Sequence, residues 1–210
     1  MTPEKYQNIV ATITDAVQID TQCHAHNDFG LAVSNTLAGL KGGARYFHVT
    51  VNGIGERAGM PDLAQVAVSL KVQYDIDLGL DLTKLTAVSE LVAQATHSRL
   101  HPWQPIVGQN VFAHESGIHA KGSLNNGHAF EPFSPELLGR ERSIVVGKHS
   151  GRASLKHALD ALGIHHEEHE LTELLYWVRE VSMIKKQALT YKDVALLHAG
   201  VSRRGDSCRI

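Results

Sequence analysis

The stretch Cys23-His24-Ala25-His26-Asn27-Asp28 decides how the rest of the chain is interpreted. Two histidines that stand two residues apart on a strand send both imidazoles to the same side of the sheet. Such a pair is half of a metal site, because imidazole is the commonest metal-binding side chain. An oxygen ligand from elsewhere would complete the site, and structural or exposed histidines are the alternative interpretation.

The sequence around this stretch alternates helical and extended patterns. Apolar residues at helical spacing predict four helices, at about 3–17, 30–40, 61–70 and 83–95. Strands are predicted immediately before His24 and at 45–51. Alternating strands and helices imply parallel βαβ units, whose functional groups collect at the carboxyl ends of the strands. Both the histidine pair and the loop 52–60 follow a strand, so we expect them at the same edge of the sheet.

The second half of the chain has a different texture. After a proline-rich connector at 101–105, residues 108–147 are rich in glycine and turn-forming residues, and helical patterns return from Gly151. Two strands cannot close a sheet, and a (β/α)8 barrel normally takes about 250 residues. The prediction is an α/β fold that contains part of a TIM barrel, followed by a mainly helical region. The domains are expected at 1–98 (barrel), 99–147 (linker or lid), 148–200 (helical) and 201–210 (disordered tail).

Composition excludes several classes of partner. The 210 residues are 43% hydrophobic and carry a formal net charge of −2, without charge blocks that would attract nucleic acid or an anionic membrane. No apolar run is long enough for a membrane helix. The two cysteines, Cys23 and Cys208, form no disulfide framework, so a reducing, cytoplasmic location is expected.

The loop Asn52-Gly53-Ile54-Gly55-Glu56-Arg57-Ala58-Gly59 superficially resembles a dinucleotide-binding turn. Its third glycine comes one residue late for G-x-G-x-x-G, which disfavours nucleotide binding. A tight turn explains the glycines but not the adjacent charges of Glu56 and Arg57. We therefore predict that these two residues form an ion pair that organises the site.

Three other stretches allow both a functional and a structural interpretation. The stretch 165–169 has H-x-x-E-H spacing, typical of an inverted zinc-protease motif, but its polar surroundings favour a solvated helix terminus. The stretch 112–122 holds two histidines, a glutamate, a serine and a lysine. This density of reactive side chains supports a functional role and a structural role of the loop equally. The basic turn 146–152 suits a carboxylate, a phosphate or an ordinary helix start.

Four of these stretches occur together and in order: 24–28, 52–59, 114–119 and 147–151. Over nearly the whole chain, to about residue 199, they resemble the 2-isopropylmalate synthase and homocitrate synthase family. The resemblance implies an acyltransferase that condenses acetyl-CoA with a metal-bound 2-oxo acid. It also implies that the chain supplies the last two strands of the (β/α)8 barrel and the subdomains that follow.

The same resemblance implies roles for individual residues. His24 and His26 correspond to ligands of a divalent cation, which could be Mg²⁺, Mn²⁺ or Zn²⁺. His119, with Glu115 beside it, corresponds to a general acid/base in a subdomain that reaches over a partner subunit, so a homodimer is expected. Asn52, Glu56 and Arg57 would bind substrate or organise the rim of the metal site.

The chain departs from the family pattern at two positions and by one absence. Met60 stands where isopropylmalate synthases have a metal-binding asparagine, and homocitrate synthases are apolar there, which favours 2-oxoglutarate ahead of 2-oxoisovalerate. Phe130 stands where an assisting tyrosine is expected. The strands that bring the carboxylate ligand and the catalytic arginine are missing, so we expect the isolated chain to be inactive and to pair with the missing barrel part. A non-catalytic partner of a complete synthase is the alternative.

Overall fold

The structure is a computed structural model, which describes residues 1–114 and 131–207. The chain divides into two compact units. The first comprises Met1–Val111 together with Glu136–Arg140, and the second begins at Phe112 and contains the remaining described residues. Among the described residues, no helix combines the length and the apolar character that a membrane crossing requires.

The first unit alternates helices and short strands. Its elements are α1 (Pro3–Ala16), β1 (Gln22–Cys23), α2 (Ala32–Lys41), β2 (Tyr46–Phe47), α3 (Leu63–Tyr74) and α4 (Leu85–Ala95), with 3-10 turns at Val51–Gly53 and Leu82–Lys84. β1 and β2 pair in parallel, with Cys23 opposite Phe47. This pairing confirms the predicted α/β class with parallel strands.

Two boundaries in this unit differ from the prediction. The strand predicted at 45–51 is wrong in length, because only Tyr46–Phe47 pairs with β1, and Asn52 at a φ of 62° bends the chain into a 3-10 turn. The third helix starts at Leu63 rather than at Pro61. Asp62 is its N-cap, and the Asp62 side chain accepts a hydrogen bond from the Gln65 backbone N–H.

The core of the first unit is built from small residues, mostly alanines and valines. Ala32, Ala64, Val66 and Val68 are fully buried. α1, which packs against α2, has no fully buried residue, and large apolar side chains remain exposed, such as Phe29 with 83% of its surface accessible. An exposed apolar surface of this kind is typical of a face that another protein segment covers.

The second unit is mainly helical. It contains a parallel pair of short strands, β3 (Ala113–His114) and β4 (Ser143–Ile144), and the helices α5 (Arg152–Ala161), α6 (Glu168–Lys185) and α7 (Tyr191–Ser207). These helices bury a shared apolar core that includes Leu155, Leu159, Leu171, Leu174 and Val194. The domain boundaries proposed from the sequence stay a prediction.

The disordered tail predicted at 201–210 stays a prediction, although the structure assigns its first residues to a helix. α7 continues to Ser207, and Val201 lies in the core with 5% of its surface accessible. Val194 and Val201 stand seven residues apart, which places both on the same face of α7. Packing of that face against α6 stabilises a segment whose sequence is otherwise polar.

Side chains cap both of the last two helices. Glu167 and Glu170 form a reciprocal capping box at the start of α6, so the H-x-x-E-H stretch lies at a helix terminus as its polar surroundings indicated. At the start of α7, the Asp193 carboxylate accepts hydrogen bonds from the Thr190 backbone N–H and hydroxyl. The Lys185 ammonium also donates to Asp193, at 2.7 Å.

These contacts predict an acid-dependent loss of stability. Hydrogen bonds from Lys185 first, and then from Thr190, lower the pKa of Asp193 from 3.8 to about 2. Because the folded-state pKa is depressed, the carboxylate stabilises the fold above its unfolded pKa, and this contribution disappears as the pH falls from 3.8 through about 2. In urea denaturation, we expect the stability difference between the parent chain and Asp193→Asn to shrink across this range. Parallel stability curves for the two proteins would contradict the assignment.

Candidate functional site

Three histidines meet at the carboxyl ends of β1 and β2. His24 directly follows Cys23, and the His48 backbone N–H donates to the Cys23 carbonyl at 3.0 Å. The parallel register therefore places His24 beside His48. The Nε2 atoms of His24 and His26 lie 3.2 Å apart, and the Nδ1 atoms of His24 and His48 lie 2.9 Å apart.

The spacing of the first pair fits two ligands of a single cation. With metal–nitrogen bonds of about 2.0–2.1 Å, two nitrogens on one ion lie about 2.9 Å apart at a right angle and about 3.4 Å apart in a tetrahedron. The observed 3.2 Å falls between these values. His26 Nδ1 is buried and lacks a hydrogen-bond partner among the described residues, so Nε2 is the ring nitrogen of His26 that a cation could reach.

These histidines are only part of a coordination sphere. Within residues 1–114 and 131–207, no group of three or more histidine, cysteine, aspartate or glutamate side chains is arranged to hold a metal ion. A site built from His24 and His26 therefore needs additional ligands, which could come from substrate, from water or from residues that the structure does not describe.

The histidine pair opens into a cleft of about 310 Å³. Its lining also includes Tyr6, Asp28, Phe29 and Asn35. Asn35 is a buried polar residue on α2, and its Oδ1 has no hydrogen-bond partner in the described part of the chain. Asn35 was not predicted from the sequence, although an asparagine on the buried face of a helix indicates a polar requirement at that position.

The glycine loop is tied to the histidine stretch by backbone and side-chain contacts. The Asn27 N–H donates to the Gly59 carbonyl at 3.0 Å. Arg57 forms two hydrogen bonds with the Asp28 carboxylate, at 2.8 and 3.1 Å, and this contact lowers the pKa of Asp28. The predicted ion pair of Arg57 with Glu56 is therefore wrong about the partner, because the bend at Arg57, with a φ of 56°, brings its guanidinium to Asp28.

Asn52 and Met60 have structural contacts in the same loop. The Asn52 side-chain N–H donates to the Ser89 carbonyl at 2.8 Å and so attaches the loop to the helix α4. Met60 donates its backbone N–H to the Gly53 carbonyl. Its Cγ approaches Gly55 so closely that a Cβ on that glycine would lie 3.1 Å away. Roles for Asn52, Glu56 and Arg57 toward a substrate stay predictions.

Other predicted site residues lie elsewhere. Glu115, His119 and Phe130 are outside the described residues. In the basic turn 146–152, the Ser150 hydroxyl accepts from the Gly147 N–H at 2.8 Å, and Arg179 donates to the Ser150 carbonyl at 2.8 Å. These internal contacts support the ordinary helix start, which was one of the interpretations left open for this turn.

The fold and the histidine cluster together define an α/β protein with a candidate cation site at the carboxyl ends of parallel strands, an arrangement typical of TIM-barrel enzymes. Comparison with known proteins agrees with this class of fold. A protein-family model described as HMGL-like, a TIM-barrel family, matches residues 1–92, and one described as homocitrate synthase post-HMGL domain-like matches residues 106–186. Together these two matches span most of the chain, which is similar to the 2-isopropylmalate synthase and homocitrate synthase family.

Individual relatives carry the names of different synthases. The chain is 58% identical to a 2-phosphonomethylmalate synthase of Streptomyces rubellomurinus, over 93% of this chain and 52% of the relative. It is 45% identical to 2-isopropylmalate synthase 2 of Caldanaerobacter subterraneus, over 97% and 53% of the two chains. It is 46% identical to homocitrate synthase 1 of Nostoc, over 88% and 49%. The chain thus spans about half the length of these relatives.

Proposed function

We propose that this chain carries part of the active site of an acyltransferase that condenses acetyl-CoA with a 2-oxo acid, after which water hydrolyses the thioester and CoA is released. The observation that carries the proposal is the His24 and His26 pair, whose Nε2 atoms lie 3.2 Å apart at the end of β1 in a chain that is similar to this family. The names of the relatives support the reaction class, since each product is a 2-hydroxy acid derived from malate or citrate.

Each residue has a defined task in this proposal. His24 and His26 hold a divalent cation, Mg²⁺, Mn²⁺ or Zn²⁺, through Nε2. When bound, the cation supplies Lewis-acid polarisation of the 2-oxo acid carbonyl. His119, with Glu115 as its neighbour in the sequence motif, removes a proton from the acetyl methyl group or delivers one to the developing alkoxide. Arg57 and Asp28 hold the glycine loop against the histidine stretch.

We further propose that residues 1–98 form the last two strands of a (β/α)8 barrel, residues 99–147 a lid and residues 148–200 a helical subdomain. The two-stranded parallel sheet and exposed apolar residues such as Phe29 support this arrangement, because a closed barrel would cover them. The remaining barrel strands would bring further ligands, and a homodimer would place the lid of one subunit over the other subunit.

The 2-oxo acid is proposed to carry a second acidic group. Met60 resembles homocitrate synthases, which are apolar at this position, and therefore favours 2-oxoglutarate. The name 2-phosphonomethylmalate indicates that the product of that relative carries an acidic substituent on the carbon that was the carbonyl carbon of the oxo acid. Built from acetyl-CoA, that product requires 3-phosphono-2-oxopropanoate as the oxo acid. We therefore rank these two acids above 2-oxoisovalerate.

A second candidate function is a non-catalytic partner of a complete synthase. Two observations favour this function. The set of metal ligands among the described residues is incomplete, and Met60 stands where isopropylmalate synthases have a metal-binding asparagine. Stable co-purification of this chain with a complete synthase, without a change in turnover per complete subunit when the chain is removed, would support this function.

The catalytic proposal is tested in a fusion that supplies the missing barrel. The part of the Streptomyces relative that this chain does not match is joined to the chain, and free CoA is measured with acetyl-CoA, Mn²⁺ and each 2-oxo acid. We expect CoA release that depends on the oxo acid in the fusion and no release by the chain alone. His119→Ala in the fusion should reduce the rate at least 100-fold. A folded fusion without oxo-acid-dependent CoA release would contradict the proposal.

A further inference from the structure

The contact between His24 and His48 lies outside the two-histidine pair and has its own chemical consequence. The two Nδ1 atoms are 2.9 Å apart, a hydrogen-bond distance, and the rings meet edge to face at an interplanar angle of 88°. Between two neutral imidazoles, one Nδ1 must carry the proton and the other must accept it. The choice of donor in this contact is therefore coupled to the nitrogen on which a neutral His24 keeps its lone pair.

Only one of the two proton arrangements leaves His24 able to bind a cation at Nε2. If His24 donates from Nδ1 to His48, its Nε2 is unprotonated and faces the Nε2 of His26 at 3.2 Å. If His48 donates instead, a neutral His24 carries its proton on Nε2, where it blocks coordination. In metalloproteins, the group that accepts from the second ring nitrogen fixes the tautomer and the ring orientation of a histidine ligand.

We infer that His48 is a positioning residue, which accepts the Nδ1 proton of His24 and holds the His24 Nε2 lone pair ready for a divalent cation. The inference rests on the proposed function of His24 and His26 as cation ligands. His48 contacts the Nδ1 edge of His24, whereas the cation would lie at the Nε2 edge beside His26. That separation makes His48 a support for a ligand and not a third ligand.

The local fold explains why His48 reaches this position. Residues at equal height on parallel neighbouring strands lie side by side, and Cys23 is opposite Phe47. His24 and His48 each follow these partners by one residue. The hydrogen bond from the His48 N–H to the Cys23 carbonyl keeps the backbone in register at this point, so the contact depends on the strand pairing and not on a flexible loop.

The tautomer can be measured directly on the ¹⁵N-labelled 210-residue chain without metal. Long-range ¹H–¹⁵N correlation spectra, assigned with His24→Ala, are expected to show the His24 proton on Nδ1. His48→Leu removes the acceptor and should move the proton to Nε2. His48→Asn offers an amide oxygen in its place and should preserve the Nδ1–H form. His169→Ala is the matched control, since that histidine lies outside the cluster, in the second unit, and its loss should leave the His24 proton on Nδ1.

Cation binding gives an independent readout. Titration with Co²⁺ is expected to show about 10- to 100-fold weaker binding for His48→Leu, with most of the loss restored in His48→Asn. A parent chain with the His24 proton on Nε2, or a His48→Leu spectrum identical to the parent, would overturn the inference. If His48→Leu fails to fold, the parent and His48→Asn spectra still decide the tautomer. Absence of Co²⁺ binding in both the parent chain and the fusion described above would count against the proposed metal site, whereas the tautomer spectra separately decide the role of His48.

Discussion

Replacing Gly59 by alanine is expected to lower the free energy of unfolding of the first unit by about 3–5 kcal/mol. Gly59 has a φ of 88°, and a Cβ at this position would lie 2.0 Å from the Gly53 carbonyl oxygen. The left-handed backbone alone costs an alanine about 1–2 kcal/mol. Relief of the clash must also disturb the hydrogen bond from the Met60 N–H to that oxygen, together with the hydrogen bond from Asn27 to Gly59.

Gly79→Ala is the matched control for this experiment. Gly79 has a similar φ of 69°, but a Cβ there would meet no atom within 4 Å. We expect this variant to lose about 1–2 kcal/mol, the part due to backbone conformation. Urea denaturation followed by circular dichroism measures both variants. Equal losses of unfolding free energy in the two variants would show that the clash between a Cβ at position 59 and the Gly53 carbonyl oxygen adds nothing to the destabilisation.

The helices could be predicted from the sequence because their periodicity is local. α1 was expected at 3–17 and is observed at Pro3–Ala16. The same reasoning failed for β2, since the length of a strand depends on a neighbouring strand and not on its own pattern. The polar composition after residue 200 likewise gave no sign that Val201 packs in the core, because that packing depends on residues distant in the chain.

The candidate site shows the same difference between local and distant information. The spacing of His24 and His26 is visible in the sequence, and the structure brings their rings together. The partner of Arg57 is 29 residues away in the chain, and the sequence alone suggested the adjacent Glu56 instead. His48 was also missed, although the register of two parallel strands would have placed it beside His24 once their pairing was assumed.

Removal of the His26 imidazole is expected to weaken Co²⁺ binding by about 100-fold or more, because a direct ligand contributes more than the supporting groups whose loss costs 10- to 100-fold. His26→Ala leaves His24 as the sole imidazole ligand of the proposed pair, and one nitrogen does not chelate. Calorimetric titration of the parent chain and the variant with Co²⁺ measures the change. His169→Ala is the matched control, since it removes a histidine from the H-x-x-E-H stretch in the second unit.

The control also separates this site from a zinc peptidase. In the H-x-x-E-H stretch, Glu168 is paired with Lys156, and this hydrogen bond lowers the pKa of Glu168, which makes it a weaker general base. Glu167 and Glu170 cap α6, and the side chain of His165 is 90% exposed. These contacts stabilise a helix terminus in water. A peptidase would show the reverse pattern, with one tightly bound zinc ion that is lost in His169→Ala and retained in His24→Ala and His26→Ala.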